Sequence, residues 1–247
     1  MSAIGQLYAR EVKDNLEVVY ATFPITEGYK LGDFGLLKDD LFTRLGNVSQ
    51  FGIDFGVRQG ATESTVKFVS ASGVSVMFHG KVDAGPGGVP VNASVDISFS
   101  EQSAVFFNAA GCTADAIENQ IQLGEQILQL NRDGKWQQQF AVITTLVKAK
   151  SSTIVMSSSS DASITIQATS SAVQSIDLDD ASIQLSVTAF KDLAIEIVTE
   201  GDLTPMLGLS GIHGGIFSDD SFGPLSTLFS GVHSRVKGAP QTFGSLV

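Results

Sequence analysis

Apolar and polar residues alternate along most of this chain, and this period of two limits the fold more than any other feature of the sequence. The clearest run has five alternating apolar positions: Val91, Ala93, Val95, Ile97 and Phe99. The residues between them are Asn92, Ser94, Asp96 and Ser98. Because successive side chains of a strand point to opposite faces, the run predicts a β-strand that buries one face.

Similar strands are predicted on both sides of this run. Val66 and Phe68 precede the turn residues 70–73, and Val74, Val76 and Phe78 follow them, which predicts a β-hairpin. Downstream strands are predicted over five segments: 138–149, 153–156, 164–166, 183–187 and 193–197. The Ser-, Gly- and Asp-rich breaks between them are short, as is typical of antiparallel neighbours.

Two segments have helical spacing instead. The first runs from 114 to 130 with Thr113 as its N-cap, and it carries Ile117, Ile121 and Leu128 on one face. The second begins near 219, has Pro224 in its first turn and ends before Gly238. Strands with segregated helices predict an α+β fold: a twisted, mainly antiparallel sheet with peripheral helices and a C-terminal amphipathic helix.

The glycines that follow the last strand predict a division of the chain. Residues 201–223 contain Pro205 and six glycines and are interpreted as a linker between a main domain, 1–200, and a tail, 224–247. The tail is too short for its own core, so its apolar stripe must bury itself on the main domain. That stripe is formed by Leu225, Leu228, Phe229, Val232 and Val236. The tail either simply closes the domain or regulates it.

Composition excludes several classes of function. The chain of 247 residues carries a formal net charge of −11, which argues against a nucleic-acid partner. The sequence has neither a basic start followed by a long apolar run nor an apolar stretch approaching ~18 residues. With a single cysteine, Cys112, which we expect to be buried and structural, no internal disulfide can form. We expect a cytoplasmic protein.

The sequence carries only weak patterns of catalytic or metal-binding groups. Ser64 and Lys67 match a Ser-x-x-Lys nucleophile pattern but lie in a predicted strand, and no Lys-Thr-Gly accompanies them. The three histidines, His79, His213 and His233, have no zinc-ligand spacing. The acidic cluster around Asp177 lacks the glycine and distal glutamate of a calcium loop. We therefore expect no enzyme activity, no metal and no cofactor.

Hydroxyl side chains crowd the polar positions between Lys148 and Lys191, with few charges among them. A strand with one apolar face and one face of Ser, Thr and Gln is what a membrane-crossing strand needs, because one face meets lipid and the other meets water. A β-sandwich with a hydroxyl-rich solvent face is the alternative.

The order of these motifs resembles the gasdermin family, particularly its short bacterial members. The matching features are the strand Val95-Asp96-Ile97-Ser98-Phe99-Ser100, the helix through Ile117 and Leu128, and the strand 140–149 with Phe140 at an aromatic position. Ser- and Thr-rich strands then follow as far as the predicted linker. The resemblance covers about residues 60–200.

The resemblance implies a pore-forming protein held inactive by its C-terminal segment. Proteolysis of the linker would release it to form a homo-oligomer that extends strands through lipid. The expected membrane strands lie within 63–79 and 139–168 and include Val66, Phe68, Val74, Val76, Phe78, Val142, Ile143, Leu146, Ile164 and Ile166. The expected lipid contacts are Arg132, Lys135, Lys148 and Lys150. The alternatives are a self-assembling structural β-protein, of the viral-tail or secretion type, and a hydrolase using Ser64 and Lys67.

Overall fold

A computed structural model of the chain describes residues 3–17, 19–70, 73–79, 93–168, 185–215 and 218–225. The helices are α1 (Ala3–Leu16) and α2 (Gln120–Arg132), with a short 3-10 helix at Val48–Phe51. The strands are β1 (Tyr20–Ala21), β2 (Asp33–Lys38), β3 (Leu41–Asn47), β4 (Val57–Arg58), β5 (Ser64–Val69), β6 (Val74–His79), β7 (Ala93–Phe99), β8 (Val105–Ile117), β9 (Phe140–Ser157), β10 (Ser163–Ala168), β11 (Leu185–Lys191), β12 (Leu193–Gly215) and β13 (Ser218–Pro224).

Nine of the described strands form one antiparallel sheet, called here the large sheet. Its main strand order is β1-β12-β9-β2-β3. In addition, β13 pairs with β12 and β8 pairs with β9. The short strand β4 and the strand β5 pair with β8. β9 lies in the middle because β12 pairs along one of its edges, while β8 and β2 share the other.

The other four described strands form the small sheet, in the order β11-β10-β7-β6. All its neighbours are antiparallel. The chain enters this sheet twice, since β6 and β7 lie between β5 and β8 of the large sheet, and β10 and β11 lie between β9 and β12.

Each face of the large sheet is covered by a different element. Tyr8, Ala9 and Val12 of α1 pack on one face against residues that include Phe107. The small sheet packs on the other face, where Phe106 and Val155 lie. At the far end α2 packs around Trp136, Phe34 and Val142. The molecule therefore has three layers at one end, with the large sheet in the middle.

The expected α+β class with a twisted, mainly antiparallel sheet and peripheral helices is confirmed. The helices differ from the expectation. Residues 114–117 finish β8 instead of opening a helix, and Thr113 pairs with Lys148 instead of capping α2. α1 was missed, although Tyr8, Val12 and Leu16 follow one another at a spacing of four. Neither α1 nor α2, nor any other helix in the described parts of the chain, has the length and apolar character to cross a bilayer.

The predicted hairpin between β5 and β6 is wrong, although both strands exist. β5 pairs with β8 in the large sheet, and β6 pairs with β7 in the small sheet. The chain changes sheets here because Ser70 is held on the large sheet: its backbone N–H donates to the carbonyl of Val105, and its hydroxyl accepts from the N–H of Val105.

The predicted linker is also wrong. Residues 201–215 continue β12 at the centre of the large sheet, and Met206, Leu207 and Leu209 are buried there. Residues 218–224 form β13 instead of starting a helix. β12 is too tightly paired with β9 to separate a domain from a tail. The rest of the predicted tail, 226–247, lies outside the described residues.

The close approach of β2 to β3 gives a test of the fold. A Cβ added at Gly35 would lie 1.9 Å from the carbonyl oxygen of Thr43, so Gly35→Ala must move backbone. Overpacking of this kind costs about 1–3 kcal/mol of unfolding free energy. Gly28→Ala is the control because nothing lies within 4 Å of its Cβ position. Urea unfolding that finds the two variants equally stable would contradict this strand pairing.

Candidate functional site

The residues expected to cross a membrane fall into two sheets. Val66 and Phe68 lie in β5, and Val142, Ile143 and Leu146 lie in β9, all in the large sheet. The rest lie in the small sheet, which the structure brings together in one place: Val74, Val76, Phe78, Ile164 and Ile166.

The large-sheet members of this set are core residues. Val142 and Ile143 are fully buried and pack into different clusters on opposite faces of β9. Val66 is buried on the α1 side. Because β9 is hydrogen-bonded along both edges, it can reach lipid only if the whole sheet comes apart. The small sheet is therefore the better site.

The small sheet has one continuous apolar face. In register across the strands, Ile97 lies between Val76 and Ile164, and Val95 lies between Phe78 and Ile166. Ile97, Ile164 and Ile166 are buried. Val95, Ile97 and Phe99 belong to this face but were not among the expected site residues. Their period-two alternation was the signal that identifies them.

The opposite face of the small sheet carries mainly small polar groups, with Met77 next to Asp96 as the exposed apolar exception. Ser98 lies between Ser75 and Ser163, and Thr165 lies next to Asp96. Ser75 and Ser98 are exposed, and Ser163 and Thr165 are half-buried. The small sheet thus combines, strand by strand, the two faces predicted from the sequence.

The apolar face of the small sheet rests on what we call the sheet interface. On the large sheet it is formed by Phe106 of β8 and Val155 of β9, with Val198 of β12 at its margin. The alternate residues of the same strands, Phe107 and Ile154, face α1 instead. One stretch of β8 and β9 thus carries a helix on one face and the small sheet on the other.

Four chain connections join the small sheet to the large one, and all lie at one end of the small sheet, called here the tethered edge. They meet the small sheet at Val74, Phe99, Ser163 and Lys191, which the strand register brings to the same end. The buried hydroxyl of Ser157 donates to the carbonyl of Glu101 at 2.6 Å and accepts from the N–H of Ala104 at 3.0 Å. The Ser158 N–H donates to the carbonyl of Asp192 at 2.8 Å. This edge is fixed by hydrogen bonds.

The four basic residues expected to contact lipid form two separate pairs. Lys148 and Lys150 point to the same side of β9, where Lys148 contacts Asp115 at 2.6 Å and Lys150 contacts Glu63. Arg132 and Lys135 are exposed at the end of α2, before β9 begins. Eight residues of strand separate Phe140 from Lys148, or about 26 Å. The structure does not gather the four into one patch.

Asp115 is the best-defined ionisable group among these. Burial raises its pKa, but the hydrogen bond from Lys148, the one from the N–H of Gly60 at 3.1 Å and the Lys148 charge outweigh burial. The net pKa of Asp115 lies below its ordinary value. The pair ties the segment before β5 to the middle of the large sheet.

The other chemical candidates are placed as follows. Ser64 and Lys67 lie in β5 at an odd spacing, so their side chains project from opposite faces of the strand. Burial raises the pKa of the Cys112 thiol to about 11, against a smaller lowering by a hydrogen bond from Val66. Cys112 is buried in β8, as expected of a structural cysteine, and it does not precede a helix.

His213 lies in β12, not in a loop, and its Nε2 is 2.9 Å from the carbonyl oxygen of Gly223. His79 lies in β6. His233 and the acidic cluster around Asp177 lie outside the described residues. Within the described residues no three potential ligands from His, Cys, Asp and Glu come together to hold a metal ion.

Of the predicted tail stripe, the structure describes only Leu225. Leu225 is half-buried and packs against the cluster of Leu207, Leu209 and Phe42. A Cβ at Gly211 would lie 2.9 Å from its Cδ2, so Leu225 sits directly on β12. Leu228, Phe229, Val232 and Val236 lie outside the described residues.

Searches against protein-family models and against curated proteins find no match to this chain.

The Asp115–Lys148 pair predicts a dependence of stability on pH. Because the folded-state pKa of Asp115 is lowered, the pair contributes its full stability above the unfolded pKa of about 3.9, and this is lost as the pH falls through the folded-state pKa. We expect Asp115→Asn to cost about 1 kcal/mol at pH 7, since Lys148 is half exposed. Urea unfolding at pH 7 and below pH 3 measures this; a cost that stays constant with pH would contradict it.

Proposed function

We propose that this chain is a gasdermin-like pore-forming protein in an inactive resting state, and that the small sheet is the part that enters the membrane. The observation that carries the proposal is the small sheet itself: four antiparallel strands with one apolar face and one face made mainly of Ser and Thr, on which Met77 and Asp96 also lie. The proposed activity involves no catalysis and no cofactor. We place the resting protein in the cytoplasm.

The two faces of the small sheet suit the two environments of a pore wall. In the resting state the apolar face contacts Phe106 and Val155. In a pore the same face would contact lipid tails, while the serines and threonines would face water. The described strands have six or seven residues, whereas a membrane strand needs about 9–11. In a pore these strands would therefore have to lengthen.

The remaining fold supports a detachable small sheet. The large sheet has three apolar clusters that do not include the small sheet, one beneath α1, one beneath α2 and one around Phe42 and Leu207. These clusters would hold the large sheet together while the small sheet forms a homo-oligomer with those of other copies.

The activating cut must differ from the one expected from the sequence. A cut within 201–215 would break β12 in the middle of the large sheet. We propose instead that an activating protease acts after Leu225, and that the released segment carries Leu228, Phe229, Val232 and Val236. Leu225 would stay with the body of the protein.

Charge bears on the proposed lipid partner. With a net charge of −11, the protein as a whole is repelled by anionic lipid. Arg132 and Lys135 are exposed, but Lys148 and Lys150 are engaged with Asp115 and Glu63. Lipid contact through all four would require those two ion pairs to open.

The proposal is tested by cutting the chain at one defined position. A recognition sequence for a site-specific protease is inserted between Leu225 and Ser226, and dye release is measured from neutral and from anionic liposomes. We expect release only after the cut, because only then can the stripe leave.

The matched control carries the same recognition sequence between Ala61 and Thr62, two exposed residues outside the cluster that holds Leu225. Cutting there should release no dye. Absence of leakage from both kinds of liposome after the cut at 225 would overturn the proposal.

One observation favours the self-assembling structural protein as a second candidate. Both edge strands of the small sheet expose a large apolar side chain, Met77 on β6 at 57% and Phe190 on β11 at 64%. Exposed edge strands with apolar side chains are templates for pairing with another chain. Edge-to-edge assembly without a membrane would use them.

Electron microscopy of the uncut protein in buffer separates the two candidates. Regular rings or tubes that disappear in a Phe190→Lys variant would favour the structural protein. Single particles that assemble only after the cut and with lipid would favour the pore-forming protein.

A further inference from the structure

We propose that two buried polar residues, Asn108 and Thr153, keep the sheet interface weak, so that the small sheet can separate from the large one. The inference rests on the proposed function and adds a conformational device to it. It concerns residues of the large sheet that stay in place when the small sheet leaves.

Asn108 and Thr153 face each other in neighbouring strands. They are register partners of β8 and β9, next to the partners Phe107 and Ile154, and the following pair is Phe106 and Val155. Because side chains alternate between faces, Asn108 and Thr153 lie on the same face as Phe106 and Val155. That face is the sheet interface.

The Asn108 Oδ1 and the Thr153 Oγ1 are buried without a hydrogen-bond partner. Thr153 and Asn108 are each 2% exposed. Neither the Asn108 Oδ1 nor the Thr153 Oγ1 accepts or donates a hydrogen bond, so the two do not bond to each other. An unpaired buried polar group costs free energy that an apolar group of the same shape would not cost.

The rest of β9 shows that a buried hydroxyl in this strand can be satisfied. The hydroxyls of Thr144 and Ser210 lie 2.9 Å apart and bond to each other. Thr144 is 4% exposed, so it matches Thr153 in residue type, strand and burial. Asn108 and Thr153 lie two residues from Phe106 and Val155 along their strands. The residues before Thr144 in β9, Val142 and Ile143, belong instead to clusters that contain no small-sheet residue.

Ser152 provides a comparison on the opposite face. Its Oγ is also buried without a partner, and its register partner Ala109 belongs to the cluster beneath α1. If unpaired hydroxyls in β9 had only a general effect, Ser152 and Thr153 would affect the small sheet equally. If the effect is specific to the sheet interface, replacing Thr153 will change the small sheet and replacing Ser152 will not.

The experiment compares Thr153→Val, Thr144→Val and Ser152→Ala in the full-length chain. Amide hydrogen exchange is followed in β7 and β10 of the small sheet and in β12 of the large sheet, and urea unfolding gives overall stability. We expect Thr153→Val to slow exchange in β7 and β10 about tenfold relative to wild type. Thr144→Val should lower stability because it leaves Ser210 unpaired, and Ser152→Ala should change exchange in β7 and β10 by less than about twofold.

The same variants, each carrying the protease site after Leu225, are then tested for dye release. Thr153→Val should release dye more slowly than wild type, and Ser152→Ala should release it at the wild-type rate.

The inference is overturned if Thr153→Val leaves exchange in β7 and β10 unchanged or faster, or if Ser152→Ala slows it equally. Slower exchange with an unchanged rate of dye release would overturn the link between the polar pair and pore formation. If wild type releases no dye, the proposed function fails, while hydrogen exchange still decides whether the polar pair weakens the interface.

Discussion

The pairing of β9 with β12 is the interaction on which the rest of the structure depends. The two strands, of 18 and 23 residues, stay together from Leu193 to Gly211 despite four shifts in register. Their backbone hydrogen bonds are sheltered because α1 and the small sheet cover opposite faces at one end, and α2 covers the other end. Each of the four apolar clusters includes residues of β9. A change that parts these strands would remove a wall from every cluster.

The two sheets differ in how they are held. The large sheet gains from hydrogen bonds, from burial on both faces and from ring contacts such as that of Phe34 with Trp136 at 5.0 Å. The small sheet buries one face only, and the surface beneath it contains Asn108 and Thr153 among its apolar residues. Burial of one apolar face is worth about 25 cal/mol per Å², and unpaired polar groups subtract from that gain. The proposed weakness of the sheet interface rests on this difference.

The sequence predicts the strands better than their partners. Strand β7 follows from its alternation, because Val95, Ile97 and Phe99 bury one face of an antiparallel sheet. The helix predicted over 114–130 begins too far towards the N-terminus, because the small residues before Ile117 fit a strand and a helix equally well. The linker over 201–223 was predicted from glycines, yet a Cβ at Gly208 would lie 2.8 Å from Thr145. That glycine serves close strand packing. The change of sheets at Ser70 could not be predicted, since a turn sequence does not specify which sheet the next strand joins.

The tethered edge has a mechanical consequence. All four covalent links between the sheets lie along one side, and hydrogen bonds of Ser157 and Ser158 fasten them there. At the opposite end of the small sheet, His79 lies across from Ser94, and Ala168 lies across from Ala93 and Leu185. The small sheet is therefore attached to the large sheet at one end, as by a hinge. Separation of the small sheet, as proposed, would be a rotation about that end and would need no threading of the chain.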